Sequence, residues 1–181
     1  FPEPYDPEAP PYFYQEDKQI RQWIAAGAYD EAIEAANAMF ERRPDSIQFS
    51  CLLIEALMHK GEEEQAHEIM DALIAAYPGD YALYARLDRC FERVGGWSAG
   101  YENWKRIAAR GDACAAGYIV NKGERMAMVH QSQKEYEKAL HYYREVLTAI
   151  PEARFSAEQY DWILGMLGEA EDRMSFWEEL C

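Results

Sequence analysis

The sequence predicts an all-α protein in which antiparallel helix pairs follow one another to form an α-solenoid of about five pairs. The first observation is a strict period, since Gly27, Gly61 and Gly95 are each 34 residues apart. The second is that each glycine suits the end of a helix, because glycine readily adopts the left-handed backbone conformation. A period of this length is typical of stacked helix-turn-helix units rather than of one globular core.

Three further positions recur behind each glycine and give each helix pair its packing and its end. A small residue follows five positions later, where the paired helices are expected to cross: Ala32, Ala66 and Gly100. An apolar residue on the same helical stripe follows at twelve: Met39, Leu73 and Ile107. At seventeen stands a residue expected to end the helix, a proline in two of the three units: Pro44, Pro78 and Asp112.

Polar residues beside these turns predict where the following helices begin. Asp30 and Ser98 are placed to accept hydrogen bonds from the free N–H groups of the next helix. Asp45 and Gln48 resemble a capping box at the start of the second unit.

A fourth pair follows a slip of five residues within 110–123. Its repeated positions are Tyr136, Ala139, Tyr143, Val146 and Pro151, with Lys134 in place of the glycine. The slipped segment contains Gly111, Gly117 and Gly123, and glycines weaken or bend a helix. We therefore expect either a local break or a lengthened first helix there. Gly168 follows Lys134 by 34 residues, so the period returns there. A fifth helix pair is expected to run to the end of the chain.

Together these positions resemble the tetratricopeptide repeat, whose motif has a turn glycine, an aromatic residue, a small residue, an apolar residue and a closing proline. The resemblance covers roughly residues 13–181 and implies a right-handed superhelix. The units it implies are about 13–46, 47–80, 81–114, 120–153 and 154–181. In this family the first helix of each pair lines a concave groove that binds proteins or peptides. The resemblance therefore implies a non-enzymatic adaptor or scaffold.

Arginines are concentrated on one face of a helix that the resemblance assigns to this groove. Arg86, Arg89 and Arg93 share a helical face, and Arg21 and Arg125 hold equivalent positions in other units. Guanidinium groups suit carboxylates, so we expect a partner segment with acidic residues. The first two units supply the apolar candidates for the groove: Ile24, Cys51, Leu52 and Met58.

Two alternatives bear on these arginines. They could instead pair internally, with Asp88, Glu92 or Glu124. Some members of the family clamp the C-terminal carboxylate of a chaperone, and the matching positions here are Asp17, Arg21, Leu52, Ala82 and Arg86. Only Arg86 agrees in type with that clamp, so this activity is not expected.

Composition argues against several other classes of protein. A net charge of −15 opposes binding to nucleic acid or to anionic lipid. No apolar run approaches the ~18 residues needed to cross a membrane. The cysteines and histidines have neither disulfide nor metal-ligand spacing, and no phosphate loop or nucleophile motif occurs. We therefore expect no enzyme activity, no cofactor and no metal.

Residues 1–12 differ from the rest of the chain. They hold five of its eight prolines, mixed with tyrosines and acidic residues. Such a segment prefers an extended backbone. We expect either a loose arm or one whose aromatic side chains dock on the solenoid.

Other roles and the compartment stay open at this level. The chain could self-associate through Phe176 and Trp177, or it could be an accessory or regulatory segment of a larger protein, an enzyme included. It has no initiator methionine. A cytoplasmic location is favoured, and a periplasmic or secreted one stays open because a targeting segment could have been removed.

Overall fold

The computed structural model describes residues 13–43 and 46–168, together with Ser175 and Glu178. Eight helices and no strand occur in this part of the chain, which confirms the all-α prediction. They are α1 (Tyr14–Ala26), α2 (Tyr29–Arg42), α3 (Ile47–Lys60), α4 (Glu63–Ala76), α5 (Tyr81–Ala108), α6 (Ala113–Ser132), α7 (Tyr136–Ala149) and α8 (Arg154–Leu167). The arm 1–12, the proposed capping residue Asp45, and Phe176 and Trp177 lie outside the described residues, so self-association stays a prediction.

Residue contacts divide the chain into two compact units, Phe1–Val94 and Gly95–Cys181. The division falls inside α5, where Gly95 and Gly96 have non-helical backbone angles. The residues of α5 before this break belong to the first unit, and those after it belong to the second.

The predicted turn glycines behave alike at three of four positions. Gly27, Gly61 and Gly168 each end a helix in the left-handed conformation, with φ of 76°, 88° and 77°. At the third turn the prediction was wrong by one residue, because Gly96 has the positive φ of 69° while Gly95 has a φ of −146°. Gly95 is required for another reason: a Cβ there would lie 2.6 Å from the Cβ of Ala99.

Lys134, which occupies the glycine position of the fourth unit, adopts the left-handed conformation itself, with φ of 62°. The turn geometry is therefore kept where the sequence departs from glycine. A lysine in this region carries backbone strain that a glycine avoids.

The predicted helix starts need two corrections. Asp30 does not cap α2, which begins after Ala28; its carboxylate instead lies 2.8 Å from Lys60 Nζ. Gln48 donates to Asp17 Oδ1 at 2.8 Å rather than bonding within its own helix. Asp112 has the capping role, because its Oδ1 accepts from the backbone N–H of the next helix, including that of Ala115 at 3.1 Å.

In the first unit, α1 packs on α2 and α3, α2 on α3, and α3 on α4. Ala32 and Ala66 are fully buried, as expected for small residues at helix crossings, and the stripe residues Met39 and Leu73 are buried as well. The centre of this unit is α3, in which every residue from Phe49 to Leu57 is buried.

In the second unit, α6 packs on α7 and α7 on α8. The extra residues of the slipped segment lengthen α6 to 20 residues, and the helix runs through Gly117 and Gly123 without a break. Of the two alternatives, the lengthened helix is therefore the one observed. The stripe residues Ile107 and Val146 are buried, like their counterparts in the first unit.

Glu145 of α7 joins that helix to the second half of α5. It accepts from Tyr101 Oη at 2.8 Å, and Lys105 Nζ lies 2.5 Å from its other oxygen. Burial opposes ionisation of this carboxyl, but the hydrogen bonds from Lys105 and Tyr101 outweigh it and lower the pKa of Glu145. Burial also raises the pKa of Tyr101, so its hydroxyl remains a donor at neutral pH.

We expect Glu145→Gln to lower the free energy of unfolding by about 1 kcal/mol at neutral pH, because it removes the charge that Lys105 pairs with. A carboxyl whose pKa is lower in the folded state stabilises the fold fully above its ordinary value of 4.5. That contribution is lost as the pH falls through the lowered folded value. Urea unfolding followed by circular dichroism should thus show the two proteins converging in acid. A difference that stays constant from pH ~7 to pH ~3 would contradict the assignment.

Among the residues that the structure describes, no helix combines the length and the apolar character needed to cross a bilayer.

Candidate functional site

Three helices of the first unit supply one candidate site. The Cys90 thiol donates to the backbone oxygen of Cys51 at 3.4 Å, and Arg93 Nη1 lies 2.6 Å from Glu55 Oε2. These two contacts advance together along α3 and the first half of α5, so the two helices run in the same direction. The bond between Gln48 and Asp17 ties α1 to the start of α3.

The three helices line a small hollow of about 30 Å³, which we call the arginine hollow. Its lining residues are Arg21, Gln48, Cys51, Leu52, Glu55, Arg86, Arg89, Cys90 and Arg93. Six of the nine residues predicted for the groove are therefore brought together here: Arg21, Cys51, Leu52, Arg86, Arg89 and Arg93.

Two of the four arginines of the hollow have acidic partners. Arg93 pairs with Glu55, which is only 5% exposed, and Arg21 Nε lies 3.0 Å from Asp17 Oδ2. The internal pairing considered from the sequence thus occurs for Arg93, but its partner is on α3 rather than on its own helix. Such a pair holds both side chains in place while leaving the outer guanidinium surface to solvent.

Arg86 and Arg89 differ from these paired arginines. Both are exposed, and neither forms a hydrogen bond or an ion pair with any residue in the described part of the chain. Four arginines and one carboxylate, that of Glu55, therefore line the hollow, and Asp17 pairs with Arg21 from outside the lining. In a chain with a net charge of −15 this is a local excess of positive charge.

The two cysteines line the hollow but are not reactive. Burial raises the pKa of Cys51 to about 11, although Arg86 acts in the opposite direction, and burial raises that of Cys90 well above its ordinary value. Both thiols therefore stay protonated at neutral pH and are poor nucleophiles. Among the described residues no group of three acidic, cysteine or histidine side chains is arranged to hold a metal ion.

A larger opening of about 470 Å³, which we call the apolar cleft, adjoins the arginine hollow. It shares three residues with the hollow and adds four more: Ile24, Ala25, Tyr29 and His59. The rings of Tyr29 and His59 stack with centroids 5.5 Å apart and planes only 2° from parallel. An apolar side chain can enter here while polar groups beside it meet the arginines.

The sequence did not identify Tyr29, His59 or Glu55 as parts of the site. Glu55 could have been identified from the sequence, because it is an acidic residue inside the apolar run 51–58. A buried carboxylate needs a cationic partner. The stack of Tyr29 on His59 joins α2 to α3. The spacing of residues within either helix does not predict a contact between the two.

Three predicted groove residues lie elsewhere or contribute differently. Leu52 lines the hollow but is only 1% exposed, so most of its side chain belongs to the core. Met58 is partly buried and lines neither opening. Arg125 belongs to the second unit. There its guanidinium carbon lies 4.5 Å from the centroid of the Trp97 ring, beside a separate cleft of about 510 Å³.

Residues 24–88 match the sequence profile of the tetratricopeptide repeat. This segment of the chain therefore resembles the tetratricopeptide repeat in sequence. The matched segment includes α2, α3 and α4 and carries Ile24, Tyr29, Glu55, His59 and Arg86, so the repeat itself presents much of the candidate site. Repeats of this type are typically non-enzymatic modules that bind other proteins, and the fold supports such a role in general.

Solved structures with a similar backbone are those of MamA. One MamA crystal structure is 15% identical and aligns over 89% of this chain and 91% of that one, with a TM-score of 0.41. A second is 14% identical over 91% and 87%, with a TM-score of 0.42. MamA from Desulfovibrio magneticus RS-1, from its residue 41 onward, is 11% identical over 91% and 93%, with a TM-score of 0.41. No curated protein matches the sequence.

Proposed function

We propose that this protein is a non-enzymatic adaptor that binds an acidic peptide segment of a partner protein on its first unit. An apolar side chain of the segment enters the apolar cleft, and neighbouring carboxylates meet the arginine hollow. The observation that carries the proposal is that Arg86 and Arg89 are exposed in the hollow adjoining that cleft and form no ion pair with any residue that the structure describes. Arginine forms paired, planar hydrogen bonds to a carboxylate, which gives both affinity and orientation.

The paired arginines support this assignment. Because Glu55 and Asp17 hold Arg93 and Arg21, the guanidinium groups of these two arginines are positioned before a partner arrives. A site formed in advance loses less side-chain entropy on binding. The protonated Cys51 thiol, which lines the same hollow as Arg86, adds no negative charge that would compete for the arginines.

The two openings also limit the spacing of the apolar and acidic groups in the partner. The apolar cleft and the arginine hollow share Arg21, Glu55 and Arg93, so a bound segment reaches both with a short stretch of chain. We therefore expect the apolar residue and the acidic residues of the partner to be near neighbours in sequence.

Charge reversal of Arg86 and Arg89, which have no ion-pair partner among the described residues, tests the proposal. We expect Arg86→Glu with Arg89→Glu to weaken binding of an acidic peptide about tenfold or more, because attraction becomes repulsion at the point of contact. The probes are labelled decapeptides in which one leucine precedes two glutamates by an increasing number of residues, each with a glutamine counterpart. Fluorescence anisotropy gives the dissociation constants.

A second double variant controls for total charge. Lys138→Glu with Arg154→Glu changes the net charge equally, at two exposed side chains of the second unit. We expect it to bind the glutamate peptides as the parent does. If the two double variants weaken binding equally, or if glutamine peptides bind as tightly as glutamate peptides, the arginine hollow is not the site.

A further inference from the structure

The segment 1–12 has the composition expected of a ligand for the arginine hollow. It carries three carboxylates, at Glu3, Asp6 and Glu8, and contains no lysine, arginine or histidine. Phe1, Tyr5 and Tyr12 are interspersed with these acids, and the prolines favour an extended backbone with ~3.1 Å per residue. This is the combination of apolar and acidic groups that the proposed function assigns to a partner peptide.

The point where this segment joins the folded unit lies close to the hollow. The ring of Phe13 packs edge-on against that of Phe49, with centroids 6.0 Å apart, and the guanidinium carbon of Arg42 is 5.7 Å from the Phe13 centroid. Phe49 directly follows Gln48, a lining residue of the hollow. Arg21 lies about two helical turns along α1 from the junction, a distance of ~12 Å.

Length and tethering both favour an intramolecular contact. Twelve extended residues span up to ~37 Å, which exceeds the distance from the junction to the hollow. A segment tethered this closely acts at an effective concentration on the order of millimolar, so even a weak intrinsic affinity leaves a substantial fraction bound. Elsewhere the chain is acidic, and its excess of carboxylates repels such a segment from the general surface.

We propose that residues 1–12 bind across the arginine hollow of their own chain, with carboxylates on Arg86 and Arg89, and that a partner peptide must displace them. This inference rests on the proposed function, because both ligands use the same arginines. It assigns the segment a regulatory role, since anything that removes it raises the affinity for the partner.

Neutralising the segment in the full chain tests the inference. We expect the triple variant Glu3→Gln, Asp6→Asn, Glu8→Gln to bind the glutamate decapeptide about twofold more tightly than the parent, because competition from the tethered segment is removed. The matched control is Glu34→Gln, Glu41→Gln, Glu68→Gln, which neutralises three exposed carboxylates of α2 and α4. We expect that control to bind as the parent does.

A synthetic peptide of residues 1–12 gives the direct measurement. Added to the triple variant, it should bind with a dissociation constant on the order of millimolar, as followed by NMR, and binding should disappear when Arg86→Glu and Arg89→Glu are added. No binding of this peptide, or equal decapeptide affinity of the parent and the triple variant, overturns the inference. Loss of decapeptide binding in the arginine double variant would still uphold the proposed function in that case. Unchanged decapeptide binding in the double variant overturns the proposed function itself.

Discussion

Replacing Trp104 by alanine is expected to lower the free energy of unfolding by about 3–5 kcal/mol, the usual cost of removing a large buried aromatic side chain. Trp104 is fully buried in the second half of α5. Its ring stacks on that of Tyr118 of α6, with centroids 4.2 Å apart and planes 19° from parallel. The substitution therefore leaves a cavity and also removes a stacking contact worth about 1 kcal/mol.

Urea unfolding measured by circular dichroism gives this difference, and a thermal melt should show a fall in Tm of about 10 °C. Trp162→Ala is the control, because Trp162 on α8 is 47% exposed. We expect that variant to lose about 1 kcal/mol or less. Equal losses in the two variants would contradict the burial of Trp104 between the two helices.

The turns and the helix crossings were predictable because they depend on local chemistry. Gly27 and Gly61 have the left-handed conformation that ends a helix, and Ala32 and Ala66 are buried where a larger side chain would separate the helices. Each of these requirements acts on a single residue at a fixed place in the repeat. A period in the sequence therefore reports them directly.

The helix α6 was only partly predictable because tertiary packing decides the role of its glycines. Helix propensity counts Gly117 and Gly123 equally as weak points. In the fold, Gly117 has open space around it, while Gly123 has side chains of two other helices against its Cα. Helix propensity does not take that tertiary contact into account, so both a break and a lengthened helix were consistent with the sequence.

The candidate site was predictable in its charged residues but not in the partners of those residues. Helical spacing put Arg86, Arg89 and Arg93 on one face, and all three line the same hollow. The partner of Arg93 is Glu55, 38 residues earlier, and only the packing of α3 beside α5 brings the two together. A position equivalent in the repeat is also not a position in the same site: Arg125, matched to Arg86 by alignment, belongs to the second unit.

Gly123→Ala is expected to lower the free energy of unfolding by about 2 kcal/mol, against the ~1 kcal/mol that alanine normally adds within a helix. A Cβ at this position would lie 2.5 Å from Val146 Cγ2 and 3.1 Å from Tyr101 Cε2. Both of those side chains are buried, so neither can move away without disturbing the packing of α7 and α5. A leucine at position 123 should cost more than 3 kcal/mol.

The same substitution at Gly117 is the matched control, since it lies in the same helix. Gly117 is exposed, and a Cβ added there would meet no neighbouring side chain within 4 Å, so Gly117→Ala should raise the free energy of unfolding by about 0.5–1 kcal/mol. The two alanine variants thus differ in sign, and urea unfolding measures both. Stabilisation by both alanines would mean that α6 does not approach Val146 and Tyr101 so closely. Destabilisation by both would mean that α6 needs the flexibility of glycine along its length, as a helix that bends does.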